Sequence, residues 1–241
     1  MAKKKKKNFT GDKIYAKNAS WSFDKKVPKT FTKHISKSVP YYLDGHNLIC
    51  ELSDFFLKDK SYCYDLGCST GTLLNKIKKR HNNKKINFIG IDSIQEMIKQ
   101  AKKGNKNSSI KYFQKDIKNY KLKKSDLIIS YFTIQFIKPK DRQKIMDKIY
   151  NSLNWGGALI IFEKVRASDA RFQDIYSQVY NEFKLKNGFT ADEIIFKSKS
   201  LKGILEPFSD FGNTGLIKRS GFVDYITIFQ WMNFKGYLCI K

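Results

Sequence analysis

The fold of this chain is decided by the stretch Tyr62-Cys63-Tyr64-Asp65-Leu66-Gly67-Cys68-Ser69-Thr70-Gly71. Apolar and aromatic side chains lead into an acid and a turn of small residues, and a helical pattern follows over residues 72–80. This order is typical of a buried strand that ends in a tight loop and enters a helix. Gly67 and Gly71 lack a Cβ, so the backbone can bend sharply and let a ligand approach. We therefore predict a ligand-binding loop, with Asp65 placed to accept from an ammonium group of the ligand.

Six more segments have the apolar pattern of strands. They lie at residues 86–92, 110–113, 126–132, 158–162, 225–231 and 234–240. Helical patterns separate the earlier strands, whereas a tight turn joins the last two. We predict an α/β fold: a doubly wound, Rossmann-like sheet of seven strands that ends in an antiparallel hairpin. The segment Asn154-Trp155-Gly156-Gly157 is predicted to turn the chain before the fifth of these strands.

The rest of the chain divides into a tail, a lid and an insertion. Residues 1–20 are rich in lysine, and we expect a basic flexible tail there. Residues 21–60 mix aromatic with basic residues before a helical pattern, which suggests a helical lid over the site. Residues 61–241 then form the ligand-binding domain. Its mostly helical insertion at about 166–205 carries aromatic residues and is expected to cover the substrate side.

Composition and charge narrow the class of protein. The chain has 241 residues, 41% of them hydrophobic, and no apolar run approaches the length of a membrane span. The formal net charge of +25 fits an anionic partner such as RNA. However, 42 cations are lysine and only five are arginine, which favours a compositional origin for the charge. The four cysteines show no zinc-type spacing, so we expect reduced core residues, no metal and a cytoplasmic location.

Two acids follow the second and third predicted strands. Asp92 lies 25 positions after Gly67, which suits a carboxylate that accepts from both ribose hydroxyls of a nucleoside. Asp116 lies just past the third strand, where it can accept from an adenine amino group. Ligands of such sheets bind beyond the carboxyl ends of the strands, so these acids and Asp65 would share one edge. The alternative is that Asp92 and Asp116 only cap the following helices.

The acids also select the type of nucleotide. No Gly-Lys-Ser/Thr segment accompanies them, and three carboxylates would repel the phosphates of a nucleoside triphosphate. A dinucleotide is the closer competitor, but Ser69 stands where a middle glycine would help. The pattern suits a cationic sulfonium nucleoside, so the predicted ligand is S-adenosyl-L-methionine.

Many other segments carry a family resemblance. They are Trp21-Ser22-Phe23-Asp24, Lys37-Ser38-Val39-Pro40-Tyr41-Tyr42, Asp65-Leu66-Gly67-Cys68-Ser69, Gly90-Ile91-Asp92-Ser93, Asp116-Ile117, Phe132-Thr133-Ile134-Gln135-Phe136, Arg142-Gln143, Asp147-Lys148-Ile149-Tyr150, Leu153-Asn154, Gly156-Gly157-Ala158-Leu159, Glu163-Lys164, Phe183-Lys184, Asn187-Gly188 and Phe229-Gln230. On these segments the chain resembles the carboxy-S-adenosyl-L-methionine synthases, which are similar to class I methyltransferases. The resemblance covers nearly everything after the basic tail.

The resemblance implies substrates, partners and site residues. It implies that the cofactor is S-adenosyl-L-methionine or its carboxylated form, with prephenate as a carboxylate donor. It also implies a product used in wobble-uridine modification of tRNA, and a homodimer in which one subunit's arginine reaches the other's site. The cofactor contacts that it implies are Tyr42, Gly67, Ser69, Asp92, Asp116 and Ile117. The turns and strand ends add Asp65, Cys68, Gly71, Ser93 and Tyr131 as candidate cofactor contacts. Gln135 and Lys199 are candidate substrate contacts, and Tyr131, Glu163 and His34 are candidate bases for an oxygen acceptor.

Two positions depart from the family pattern. Tyr131 stands where the family has an asparagine, and Ser198 stands where it has an arginine that clamps a carboxylate. A serine hydroxyl cannot replace that charge, although Lys199 offers a point charge nearby. The sequence therefore favours a methyltransferase-like enzyme with an unidentified acceptor. The alternatives are synthesis of carboxy-S-adenosylmethionine itself, and an RNA-binding module without activity whose aromatics at 21–42 stack on bases.

Overall fold

Seven strands form one sheet, in the order β3-β2-β1-β4-β5-β7-β6. The computed structural model describes residues 9–11, 14–23, 27–105 and 109–241. The strands are β1 (Tyr62–Leu66), β2 (Asn87–Asp92), β3 (Lys111–Gln114), β4 (Ser125–Tyr131), β5 (Leu153–Lys164), β6 (Asp224–Trp231) and β7 (Phe234–Ile240). The helices are α1 (Val27–Ser38), α2 (Tyr42–Leu52), α3 (Thr72–Arg80), α4 (Gln95–Lys103), α5 (Pro139–Ser152), α6 (Ala170–Lys186), α7 (Ala191–Ser200) and α8 (Asp210–Ser220). Short 3-10 turns lie at Ser53–Phe55 and Ile134–Phe136.

The strand directions confirm the predicted topology. β1 pairs in parallel with β2 and with β4, and β3 and β5 extend the parallel part on either side. β7 runs antiparallel to β5, and β6 runs antiparallel to β7. The sheet is thus the seven-stranded doubly wound α/β sheet with a C-terminal hairpin. Because five strands are parallel, the loops that follow them meet at one edge of the sheet.

Apolar side chains are buried on both faces of the sheet. On one face, Ile129 and Ile160 pack in a cluster that includes residues of α2, α3 and α4. On the other face, Ile128 and Leu159 pack with residues of α5 and α8. This two-sided cover explains why the central strands are nearly continuous apolar runs. The four cysteines are free and buried, as the sequence predicts.

The prediction of a turn at residues 154–157 is wrong. This segment lies inside β5, which begins at Leu153 opposite Ser125 and then shifts register before Leu127 pairs with Ala158. Gly156 has a φ of 74°, a left-handed conformation that suits glycine, and its N–H donates to the carbonyl of Lys241 at 2.8 Å. The two glycines therefore form an irregularity within an extended strand rather than a turn before it.

The described part of the expected tail packs against the fold. Residues 1–8 and 12–13 lie outside the described residues. Ile14 and Ala16 are buried in a cluster with Trp21, and the backbone N–H of Ala19 donates to the carbonyl of Lys199 at 3.0 Å. The segment that precedes α1 is thus tied to α7. In the residues that the structure describes, no helix is both long and apolar enough to cross a membrane.

A truncation in β4 tests the core. Ile129 is fully buried in the central strand, so Ile129→Ala should lower the free energy of unfolding by about 2–5 kcal/mol through lost burial and an added cavity. Urea denaturation followed by circular dichroism measures this change. The control is Ile195→Ala on α7, where the side chain is 50% exposed and the change should stay within about 0.5 kcal/mol. Equal effects of the two substitutions would contradict the described core.

Candidate active site

A cavity of about 440 Å³ lies along the carboxyl edge of the parallel strands. The loops after β1, β2, β3 and β4, the end of β5 and the start of β7 line it, together with residues of α1, α6 and α7. A volume of this size holds a small ligand. Asp92 and Asp116 lie at the β2–β3 end of the cavity, whereas aromatic side chains and Lys164 lie at the β4–β5 end.

The turn after β1 brings backbone to the cavity. Gly67 has a φ of 80°, and a Cβ at this position would lie 2.2 Å from Oγ1 of Thr133, so only glycine fits. Gly67 and Ser69 line the cavity. Gly71 is not a lining residue, since its open side meets the hydroxyl of Tyr112. Cys68 is also not a lining residue; it is buried beside Gly90 of β2.

Asp92 supports this turn and lines the cavity. Its Oδ2 accepts from the backbone N–H of Ser69 at 2.9 Å, and its Oδ1 accepts from that of Ile94 at 2.8 Å. Burial raises the pKa of Asp92, whereas the two N–H donors lower it. Each carboxylate oxygen has a second lone pair, so the group can still accept from a diol. The bond to Ile94 is a local turn contact, since Ile94 itself is the N-cap of α4 and makes no side-chain cap bond.

Asp116 lies beside Asp92 at the same end of the cavity. Its Oδ1 accepts from the backbone N–H of Lys118 at 2.8 Å, and no helix follows it directly. The alternative that Asp92 and Asp116 serve only as helix caps is therefore not supported. Ser93 and Ile117 also line this end.

Asp65 lies beneath the turn rather than on the cavity wall. It is 2% exposed, and its Oδ1 has no hydrogen-bond partner among the described residues. Burial, with a smaller contribution from Asp92, raises the pKa of Asp65 to about 7. A buried carboxylate oxygen without a donor is satisfied by an ammonium group or a water molecule from a ligand site above it.

Tyrosines join α2 to β4 at the other end of the cavity. The hydroxyl of Tyr131 donates to the carbonyl of Tyr42 at 2.7 Å, and both residues line the cavity. Gly45 of α2 makes room for this contact, because a Cβ there would lie 2.2 Å from the Tyr131 oxygen. Burial raises the pKa of Tyr131, so its hydroxyl stays protonated near neutral pH. As a hydrogen-bonded neutral phenol, Tyr131 is a poor candidate base.

Of the other two candidate bases, only His34 lines the cavity. His34 of α1 is buried, and one of its ring nitrogens is hydrogen-bonded to Nζ of Lys197. Glu163 is buried outside the lining and accepts from the backbone N–H of Ile134 at 3.0 Å. Burial raises the pKa of Glu163 to about 8, against the opposing charge of Arg142. Glu163 therefore holds the segment after β4 in place through this hydrogen bond.

Arg142 holds the same segment from α5. Its guanidinium donates to the carbonyls of Ile137 at 2.8 Å, Gln135 at 3.1 Å and Glu206 at 2.7 Å. The group is 4.2 Å from the ring centroid of Phe208. This buried cation therefore links the lining segment after β4 to the loop before α8.

Of the two candidate substrate contacts, Gln135 lines the cavity and Lys199 does not. Gln135 lines the cavity, and its Oε1 accepts from the backbone N–H of Lys164 at 2.8 Å. Lys199 is exposed and is not a lining residue, and Ser198 is exposed as well. Two amines line the cavity: Lys164 at the end of β5, and Lys197 of α7, whose Nζ lies 4.4 Å from the ring centroid of Trp21. Sequence reasoning did not assign Lys164 to the site, although its place two residues past the strand predicted at 158–162 was an available signal.

These residues fit S-adenosyl-L-methionine. The turn at Gly67 admits a close ligand, Asp92 and Asp116 offer acceptors at the nucleoside end, and Asp65 offers an unpartnered oxygen beneath them. Their negative charge complements a sulfonium with an ammonium group. The described residues contain no group of three or more histidine, cysteine, aspartate or glutamate side chains that could hold a metal ion.

Fold and site together define a class I S-adenosylmethionine-dependent transferase. A model of the methyltransferase domain family matches residues 64–157. The solved plantazolicin methyltransferase BpumL, in complex with a monoazolic desmethylPZN analog and SAH, has a TM-score of 0.64 at 14% identity, over 89% of this chain and 88% of that chain.

Full-length relatives identify the family more closely. The chain is 36% identical to the carboxy-S-adenosyl-L-methionine synthase of Staphylococcus epidermidis, over 92% of this chain and 97% of the relative. It is 32% identical to the enzyme of the same name from Nautilia profundicola, over 95% of this chain and 99% of the relative. The chain belongs to the carboxy-S-adenosyl-L-methionine synthase family.

Replacing Asp92 tests the nucleoside end of the cavity. Asp92→Asn keeps the size of the side chain but replaces the carboxylate that we expect to accept from the ribose hydroxyls. The affinity for S-adenosyl-L-methionine should therefore fall about tenfold or more. Isothermal titration calorimetry measures this change. The matched control is Asp174→Asn on the exposed side of α6, which should bind like the wild type. Unchanged affinity in Asp92→Asn would contradict the assignment of this carboxylate.

Proposed function

We propose that this chain synthesises carboxy-S-adenosyl-L-methionine, with prephenate as the carboxylate donor. The observation that carries the proposal is the division of one cavity into an acidic end and an end with an amine. Asp92 and Asp116 at the β2–β3 end suit a cationic sulfonium nucleoside, and Lys164 at the end of β5 suits an anionic donor. The name of the full-length relatives supports the same reaction.

The balance of atoms explains why a protein base is not needed. One hydrogen of the sulfonium methyl group is replaced by a carboxyl group, so the methyl carbon loses a proton and gains CO2. Prephenate that loses CO2 and hydroxide becomes aromatic, and the hydroxide combines with the proton as water. The geometry agrees with this chemistry, since Tyr131 donates to Tyr42 and Glu163 faces Ile134.

The main task of the protein would then be to position the two substrates and exclude water. Proximity and orientation of this kind are worth roughly 7–11 kcal/mol of a barrier. Gly67 and Asp92 would hold the nucleoside, and the aromatic wall that includes Phe132 would keep water from the methyl group.

Methyl transfer to an unidentified acceptor is the second candidate. What favours it is the family resemblance, which puts Ser198 at the position of a carboxylate-clamping arginine; the Ser198 side chain is exposed. Two amines weaken this argument. Lys197 precedes Ser198 in α7 and lines the cavity, and Lys164 lines it from β5. An anionic donor would therefore still find positive charge inside the cavity.

Partners and location belong to the same proposal. A homodimer is supported by α6, which has no buried residue and exposes Phe172, Ile175 and Leu185. Use of the product in tRNA wobble-uridine modification is implied by the family resemblance, and a cytoplasmic location is proposed from the four free cysteines. An inactive RNA-binding module is disfavoured, because the aromatics of 21–42 that would stack on bases include Trp21, Phe31 and Tyr42, which line the cavity.

Mass spectrometry of the reaction product tests the proposal. Purified protein incubated with S-adenosyl-L-methionine and prephenate should yield a cofactor heavier by one CO2, and omission of prephenate should abolish it. Asp92→Asn should lower the yield about tenfold or more at limiting cofactor, whereas Asp174→Asn should not.

Recovery of only S-adenosyl-L-methionine would contradict the proposal. Accumulation of its demethylated product in the presence of a cell extract, without any carboxylated product, would favour methyl transfer instead.

A further inference from the structure

Lys164 is an amine held at a fixed place in the cavity. It is the last residue of β5, where its backbone N–H donates to Oε1 of Gln135 and where β5 pairs with Phe234 of β7. Its Nζ lies 4.4 Å from the ring centroid of Tyr180 and 5.8 Å from that of Phe234. Both rings line the cavity beside it.

Other cations surround this amine. Nζ of Lys184 on α6 lies 4.2 Å from the same Tyr180 ring, and Lys197 of α7 lines the same cavity. Within residues 9–11, 14–23, 27–105 and 109–241, no carboxylate forms an ion pair with Lys164 or Lys184, and neither amine has a hydrogen-bond partner. Cation–π contacts are the interactions that the structure gives them.

A partly buried ammonium without a counter-charge is costly, because it loses hydration and gains no ion pair in return. The pKa of Lys164 is lowered to about 7, mainly by burial and to a smaller extent by the charges of Lys184 and Arg166. Burial lowers the pKa of Lys184 to about 8. A ligand carboxylate at this position would supply the missing negative charge and the hydrogen-bond acceptor together.

The position of Lys164 separates it from the nucleoside end. In the sheet, β5 is three strand spacings from β2, about 14 Å from the strand that ends in Asp92. The walls around Lys164 are aromatic, and they suit a flat ring better than a polar chain.

We propose that Lys164, supported by Lys184, binds the carboxylate of a cyclic or aromatic carboxylic acid that is the second substrate. This inference rests on the proposed function, because it assigns the donor's place in the same cavity. The ring of the acid would pack between Tyr180, Phe234 and Phe132.

Binding should take up a proton. At pH 8 the Lys164 amine of the free enzyme is mostly neutral, and the carboxylate of the bound acid keeps it charged. Affinity should therefore weaken as the pH rises above about 7. The titratable and charged groups around Lys164 are Lys184 and Tyr180 from α6, Arg166 beyond β5, and Lys197 and His34 at the cavity wall.

The test is calorimetry on the full chain saturated with SAH. The probes are phenylpyruvate and phenylacetone, which share a skeleton but differ in the carboxylate. Wild type should bind phenylpyruvate at least about tenfold more tightly than phenylacetone. Lys164→Met should lose this preference, Lys164→Arg should retain part of it, and Lys186→Met on the exposed side of α6 should match the wild type. Proton uptake, measured in buffers of different ionisation enthalpy, should vanish in Lys164→Met.

Each contrary result has a distinct meaning. Equal binding of phenylpyruvate by wild type and Lys164→Met, or no binding by wild type, would overturn the inference. Loss of SAH affinity in Lys164→Met, with SAH affinity intact in Lys186→Met, would assign Lys164 to the cofactor's own carboxylate and also overturn it. A preserved Lys164 effect without any carboxylated product would refute the proposed synthase activity while leaving the carboxylate site in place.

Discussion

The parallel alignment of five strands is the constraint on which the site depends. Because β3, β2, β1, β4 and β5 all run the same way, the residues that follow them lie in a row along one edge. Asp116, Asp92, Gly67, Thr133 and Lys164 come from five different parts of the chain and line one cavity for this reason. The order of the strands thereby sets the order of charges, with acids at one end and an amine at the other.

Buried hydrogen bonds keep this row in place. The turn after β1 is tied to the loop after β2 through Asp92, and the segment after β4 is held by Glu163 and Arg142. Tyr131 joins β4 to α2. Several polar groups that resemble catalytic residues in the sequence thus serve to position loops, and the cavity wall itself is mainly glycine, aromatic rings and a few charged groups.

Much of the fold could be predicted from the sequence, because apolar runs and small-residue turns are local signals. The sequence alone could not predict which side chains face the cavity. Successive residues of a strand point to opposite sides, so Glu163 faces a backbone N–H while its neighbour Lys164 lines the cavity. Residues two positions apart on a helix point in nearly opposite directions, which is why Lys197 lines the cavity and Lys199 does not. These choices depend on register and on helix placement, which local patterns do not determine.

A crystal structure of the chain with bound SAH tests the central claim most directly. The account predicts the ribose hydroxyls against Asp92, the adenine near Asp116 and Ile117, and the sulfur directed toward the Phe132 and Lys164 end of the cavity. A nucleoside bound at the β5–β7 end, or outside the row of strand ends, would contradict it.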